Sequence, residues 1–325
     1  MKKRLLFVVI TLFSSIGLIA QDYTKCRLIP LPQKIEEVNA VFKLTDKTNI
    51  ICEPGLADQA SYLQTALLRY VGISTVVGSN TDLESYPTTI ILKLLPQKKT
   101  KDVKSEESYS IKMNAQETVI EASTAKGIFY GIVSFVQLAR LSEKRENHLV
   151  EIDCLNISDE PLYAWRGLML DESRHFFGKE KVKQLLDWMA MYKLNRFHWH
   201  LTDAPGWRIE IKRYPKLGYI GGIGNHTHPY TKAEFYTQEE IKEIVRYAKE
   251  RNIEVIPEID MPGHAAAANR AYPEFSGGGS ERYPHFTFNP GKDSVYTFLT
   301  HVLKEVDALF PSQIIHLGGD EVHFG

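Results

Sequence analysis

Cysteine is scarce: Cys26, Cys52 and Cys154 are the only three in 325 residues. So few thiols at such wide spacing make neither a disulfide framework nor a zinc pattern, and buried free thiols are the expectation, although one pair could still bridge after export. An excess of one charge is also missing. Lysine and arginine number 39 against 40 aspartates and glutamates, with no long basic run, which removes the electrostatic footprint of a nucleic-acid binder. A neutral or weakly charged polymer stays admissible as a partner. Beyond residue 20 no apolar stretch reaches the roughly 20 residues that a membrane span prefers. What remains is a chain long enough for about two domains with a sizeable core.

Met1-Lys2-Lys3-Arg4 is basic, and Leu5 to Ala20 is apolar apart from Thr11, Ser14 and Ser15. This pattern reads as a signal peptide over residues 1–20, ahead of Gln21-Asp22, although Leu18 fits the cleavage site poorly. The mature chain is therefore expected to be exported, periplasmic or extracellular, without a membrane span. Residues 21–158 mix strand-like and helix-like stretches. Leu56, Ala60, Leu63, Leu67 and Tyr70 recur at helical spacing before Gly72. Thr89 to Leu95 reads as a buried strand, 109–113 and 119–122 as a hairpin, and 126–140 as a helix. This is a small α+β domain without a catalytic cluster.

From 159 to 325 the rhythm becomes strand-then-helix. Strands are expected at 167–170, 196–201, 253–259 and 314–317. Helical faces lie at Val182 to Met189, at Ile241 to Ala248 behind a Thr237–Glu240 capping box, and at Val295 to Val306. Such units imply a parallel sheet, either doubly wound or a (β/α)8 barrel. Polar groups gather at the C-terminal end of each strand: Asp171 to His175, His200 to Asp203, Glu258 to His264, and Asp320-Glu321. That favours the barrel, whose active sites are assembled at this face. The fold class is thus α/β, a partial (β/α)8 barrel of the first four units preceded by the α+β domain.

Asp320 and Glu321 follow Gly318-Gly319. Adjacent side chains on a strand point apart, so the two carboxylates share a site only if the backbone turns there, which the glycines permit. Held close, they cannot both ionise cheaply, and one becomes a candidate general acid. An exposed acidic turn is the plain alternative. His198 and His200 share one strand face and would ligate a metal with His264, His316 and Asp320, giving a metal-dependent hydrolase. Trp199, Trp207 and Tyr214 instead suit sugar rings. Histidines that merely satisfy backbone groups are a third reading.

Four segments carry a resemblance. Arg166-Gly-Leu-Met-Leu-Asp171-Glu-Ser-Arg174-His175-Phe176, His198-Trp-His-Leu-Thr-Asp203 with Gly206-Trp207-Arg208, Glu258-Ile-Asp260-Met-Pro-Gly263-His264, and His316-Leu-Gly-Gly-Asp320-Glu321-Val322 stand in order. Together they resemble the successive motifs of family 20 glycoside hydrolases, the β-N-acetylhexosaminidases. The resemblance covers 159–325 well and the preceding segment more loosely. It implies retaining hydrolysis of terminal N-acetylglucosamine or N-acetylgalactosamine from a glycan, with the substrate's 2-acetamido oxygen as nucleophile. It implies Glu321 as general acid and base, and Asp320 as the group that orients the acetamido and stabilises its positive charge. It implies Arg174 as a grip on sugar hydroxyls, and Asp203 with His264 as a polar pair behind the acid. Arg166, Asp260 and His200 are expected to support these from behind. No metal or organic cofactor is implied.

Two departures stand out. Ala204-Pro205 replaces the Asp-Gln of many relatives, so the loop before Trp207 is expected to differ, with a bearing on specificity. The chain also stops at Gly325, whereas the family's remaining barrel brings a tryptophan cage and an acetamido-binding tyrosine. A fragment of a longer enzyme with little turnover of its own is expected, and a non-catalytic sugar-binding form is the alternative.

Overall fold

The computed structural model of the protein describes residues 27–78, 86–96, 105–142, 144–146 and 148–322. The expected signal peptide, Cys26 and residues 323–325 lie outside them. Cys52 and Cys154 are free thiols.

The first part is one mixed sheet with two helices against it. Strands β1 (Lys34–Thr45) and β2 (Asn49–Cys52) are followed by helix α1 (Ala57–Ala66), which runs into a π-helical segment, Leu67–Val71. That segment stops at Gly72, whose φ of 81° closes the helix in a left-handed conformation. Then come β3 (Val76–Val77), β4 (Thr89–Leu94), β5 (Tyr109–Met113), β6 (Glu117–Ala122), helix α2 (Ala125–Leu141), β7 (Lys144–Glu146) and β8 (Leu149–Asp159). Strand order is β1-β8-β5-β6-β4-β2-β3, with β7 also paired to β8. The expected hairpin is β5–β6, antiparallel with Tyr109 opposite Ala122. Helix α2 starts where Thr124 Oγ1 accepts from Gly127 N at 3.0 Å. Residues 127–139 of this helix are all buried. At Gly131 the helix presses so closely on the sheet that a β-carbon would collide with Ile120.

The second part opens with β9 (Gly167–Asp171), α3 (Lys179–Met191), β10 (Arg196–Thr202), the short α4 (Lys216–Tyr219), α5 (Gln238–Lys249) and β11 (Glu254–Ile259). It ends with α6 (Ala266–Ala271) and α7 (Asp293–Leu309). β9, β10 and β11 pair in parallel, with His200 opposite Asp171 on one side and Glu258 on the other. The capping box at Thr237 and Glu240 forms at the start of α5 as its sequence implies. Alternation divides β10 between two faces: Phe197, Trp199 and Leu201 are fully buried, while His198 and His200 point the other way. Trp199 packs against Tyr236 and Phe310 at ring distances of 4.9 and 6.4 Å.

The strand expected at 314–317 is reduced to a single parallel bridge between His316 and Glu258. Three backbone bonds still lay it along β11: His316 N to Pro257 O, Ile259 N to His316 O, and Met261 N to Leu317 O. Gly318 follows at once with φ 65°, so the segment turns away before a ladder can lengthen.

A polar seam joins the two parts. Lys193 donates to Asp159 and to the Tyr109 hydroxyl. Asn195 reaches Glu107, and Gln137 Nε2 donates to Met191 O at 2.6 Å. Arg166 belongs to this seam and not to the strand-end site. Its guanidinium bonds Glu107 Oε2 at 2.5 Å, Lys193 O and Tyr163 O at 2.7 Å each. Arg166 precedes β9, so it stands at the N-terminal end of that strand, and the site lies at the other. Five strand residues separate the ends by about 17 Å.

Candidate active site

The C-terminal ends of β9, β10 and β11, with the turn after residue 317, converge on Asp203. This residue follows β10 and is 2% exposed. Its carboxylate meets Arg174 Nη2 at 2.8 Å, His200 Nε2 at 3.1 Å and His264 Nδ1 at 2.8 Å. Burial opposes its charge, but the bonds from His200 and His264 outweigh that and hold the carboxyl well below the usual range. The turn that presents it is tight: Ala204 N donates to Asp203 Oδ1, and Asp203 N to Gly206 O at 3.2 Å. Ala204-Pro205 lies within this turn.

Arg174 also bonds Asp171, through Nη1 at 2.5 Å and through its backbone N at 2.9 Å. The ion pair with Asp171 and the approach to Asp203 therefore coexist. They brace a guanidinium that remains 43% exposed and able to meet a ligand.

The turn after Leu317 behaves as its glycines suggest. Gly318, Gly319 and Glu321 all have positive φ, at 65°, 100° and 46°. This curl brings neighbouring side chains to one imidazole: Asp320 Oδ2 lies 3.6 Å and Glu321 Oε2 3.5 Å from His264 Nε2. The ring of His264 is 6% exposed and packs edge-on to Phe286. The Asp203 bond raises its proton affinity while burial opposes. Asp320 and Glu321 themselves are 68% and 72% exposed in the described structure. The enclosure that would favour a neutral acid is not supplied by the described residues.

Asp260 is buried next to this turn. It accepts from Gly319 N at 3.3 Å, its own N donates to Thr202 Oγ1, and burial pushes its carboxyl up to about 6. His200 is 5% exposed, between Asp203 and Glu258. Burial works against its charge, but the two carboxylates push it up to about 10. Both residues are buried beside Asp203 or the Gly318–Glu321 turn, whereas Arg166 lies at the other end of β9.

Two contributors stand in the quoted motifs but were given no role from the sequence. Glu258 bonds His198 and His200 from within an apolar strand and lies 3.2 Å from His316 Nδ1. Its signal is a charged residue in the register position opposite His200, which only the strand pairing exposes. Arg208 is fully buried and donates to the carbonyls of Glu172, Ser173, Gly222, Gly224 and Glu234. It binds the segment preceding Arg174 to the long loop after β10.

The five residues weighed for a metal do not meet at one point. Among the described residues, His198 groups with Glu258 and His316, while His264 groups with Asp320 and Glu321. His200 falls in a third group with Asp171 and Asp203.

The fold and site define a strand-end acid cluster, two carboxylates backed by an Asp–His pair, on an open parallel wall. This is the organisation of a barrel glycosidase. The chain belongs to glycosyl hydrolase family 20: the family's catalytic domain matches residues 163–325 and its domain 2 matches residues 25–160. It is 36% identical over 316 residues to a beta-hexosaminidase of Porphyromonas gingivalis, covering 92% of this chain and 39% of that protein. To one of Vibrio furnissii it is 38% identical over 325 residues, covering 94% and 50%. The crystal structure of a Vibrio harveyi exo beta-N-acetylglucosaminidase, in complex with N-acetylglucosamine, superposes with a TM-score of 0.80 at 34% identity. That match covers 92% of this chain and 47% of the other. The Bacteroides fragilis beta-N-acetylhexosaminidase gives 0.75 at 36% identity, covering 91% and 57%. The chain therefore spans about half the length of the curated relatives and solved structures it matches. The parallel wall is accordingly a partial barrel.

Proposed function

We propose that this chain carries the acid machinery of a β-N-acetylhexosaminidase acting on glycans that end in N-acetylglucosamine or N-acetylgalactosamine. The observation that carries the reading is the convergence of Asp320 and Glu321 on His264 Nε2, with Asp203 fixed on Nδ1.

In this reading Glu321 gives its proton to the glycosidic oxygen as the bond to the anomeric carbon breaks. The 2-acetamido oxygen of the sugar attacks that carbon from the opposite face, so the protein supplies no nucleophile. Asp320 orients the acetamido group and balances the positive charge of the cyclic intermediate. Water then attacks the anomeric carbon, Glu321 takes its proton, and the configuration is retained. Asp203 fixes the tautomer of His264 by accepting from Nδ1, which leaves Nε2 for the carboxylates. Arg174 offers its exposed donors to hydroxyls of the terminal sugar. No step uses a metal. Lys2 to Arg4 and the apolar segment after them support a reading of the protein as exported.

The test is turnover of an aryl N-acetyl-β-glucosaminide by wild type and Glu321→Gln, each with and without chelator. Little turnover is expected from this chain alone, and such hydrolysis as it shows should resist chelator and be lost in the variant. Loss with chelator would move the reading to a metal hydrolase. The exposure of both carboxylates favours one second reading, a form that binds sugar without hydrolysing it. Saturable binding of N-acetylglucosamine without turnover would identify that form.

A further inference from the structure

Behind the Asp203–His264 pair the hydrogen bonds continue. Glu258 Oε2 lies 2.8 Å from His200 Nδ1, and His200 Nε2 lies 3.1 Å from Asp203 Oδ2. Both nitrogens of His200 thus face carboxylate oxygens. Ionised carboxylates only accept, so both nitrogens must carry hydrogen and the ring is an imidazolium. All four groups are buried: Glu258 and His200 at 5% exposure, Asp203 at 2% and His264 at 6%. Glu258 is itself held from a further side by His198 Nε2 at 2.5 Å, while His316 Nδ1, 3.2 Å away, accepts from Gly318 N.

We propose that Glu258 is a positioning residue for the reaction: by holding His200 charged, it sets how much of the Asp203 charge is left to His264 and so to Glu321. The proposal rests on the hexosaminidase reading. The chain Glu258–His200–Asp203–His264 alternates carboxylate and imidazole, and each of its first three members has a hydrogen-bond partner on either side. Asp203 divides its charge between Oδ2, which meets His200 and Arg174, and Oδ1, which meets His264. Other charged groups near His200 and His264 include Asp171, Asp260, Asp320 and Glu321. With Gln at 258, Nδ1 of His200 faces an amide that can donate to it, and the ring can become neutral. Asp203 then loses one cation and binds the His264 proton more firmly. An imidazolium beside Glu321 favours the ionised form of that acid, so the general acid is lost at lower pH.

The experiment reads histidine imidazole titrations by NMR on the full chain without substrate, for wild type, Glu258→Gln and Glu258→Asp. Expected for Glu258→Gln are a new His200 midpoint at about pH 6 to 8 and an upward shift of His264. Glu258→Asp should restore the wild-type pattern in part. A His200 that stays charged through pH 8 in Glu258→Gln, or an unmoved His264, overturns the proposal. If Glu258→Gln does not fold, His200→Gln tests the same link, and an unchanged His264 titration overturns it equally. Hydrolysis is measured separately on wild type and Glu321→Gln. Turnover lost with chelator, or fully kept in Glu321→Gln, sinks the functional reading while the titrations still decide this one.

Discussion

Gly318 lies so close to the Asp260 carboxylate that a β-carbon there would overlap Oδ1. The contact, together with the Gly319 N bond to the same oxygen at 3.3 Å, seats the turn that carries Asp320 and Glu321. Gly318→Ala must therefore lift this turn away from Asp260, and its φ of 65° adds strain for any side chain. A shift of about 1 Å at a reacting group costs on the order of 100-fold in rate. The variant is expected to lose about that much hydrolysis while keeping its circular dichroism spectrum, because the turn lies at an exposed edge. Full activity in Gly318→Ala would show that Asp260 does not seat the catalytic turn.

Asp203 accepts from three charged or chargeable side chains, so its charge is shared beyond the acid relay. Asp203→Asn keeps the shape but leaves Arg174 and His200 without their common anion. Removing one partner of such a buried network costs on the order of 3 kcal/mol. The expected result is a lower denaturant midpoint together with a raised KM, because Arg174 is freed, and a reduced kcat, because His264 is no longer oriented. A variant that alters kcat alone would separate Arg174 from Asp203.

Most of the second part was legible because each strand is a short apolar run closed by polar residues, and its register follows from alternation. The curl at Gly318 to Glu321 was legible for the same local reason. The two longest strands, β1 and β8, were not. They pair with Lys34 opposite Ser158, across more than a hundred residues, and the register slips between Glu37 and Val41, which blurs the period-two pattern. Glu258 was named at its strand end but given no role, because that role depends on which residue of the neighbouring strand it faces. Arg166 was misplaced for the converse reason. It lies near Asp171 in the sequence, but β9 holds the two at opposite ends.

Arg166 offers a clean contrast between support of the fold and support of the reaction. Its guanidinium ties Glu107 of the first part to two carbonyls of the second, and it lies over the Tyr130 ring at 5.4 Å. Arg166→Ala leaves a half-buried carboxylate with only Asn195 Nδ2 and unpairs two carbonyls, a cost on the order of 2 to 4 kcal/mol. Urea unfolding should show that loss, with KM for the aryl glycoside unchanged below the transition. A changed KM at unchanged stability would place Arg166 in the site after all.

Glu172 fixes the direction in which stability depends on pH. Its side chain is fully buried, and Oε2 accepts from the Tyr236 hydroxyl at 2.8 Å and from Phe177 N at 3.3 Å. Burial raises it from an ordinary 4.5 to about 7, against the opposing pull of the Tyr236 bond. An acid that is harder to ionise in the folded state binds more protons there than in the unfolded chain. Stability must then fall as pH rises from about 4.5 to 7, by on the order of 3 kcal/mol if the whole shift is realised. Asp260, raised to about 6 by burial, adds to the fall over a narrower range. His200 acts in the same direction at higher pH, since its charge stabilises fully below about 6.5 and is lost as pH approaches 10. Asp203 and Glu258, both depressed, act oppositely, and their contribution disappears as pH falls below the ordinary carboxylate range. Thermal unfolding should therefore show a maximum near pH 5 and a steady decline toward pH 8. In Glu172→Gln the decline between 4.5 and 7 should be shallower than in wild type. An equally steep decline in that variant would mean that Glu172 ionises at its ordinary pH inside the fold.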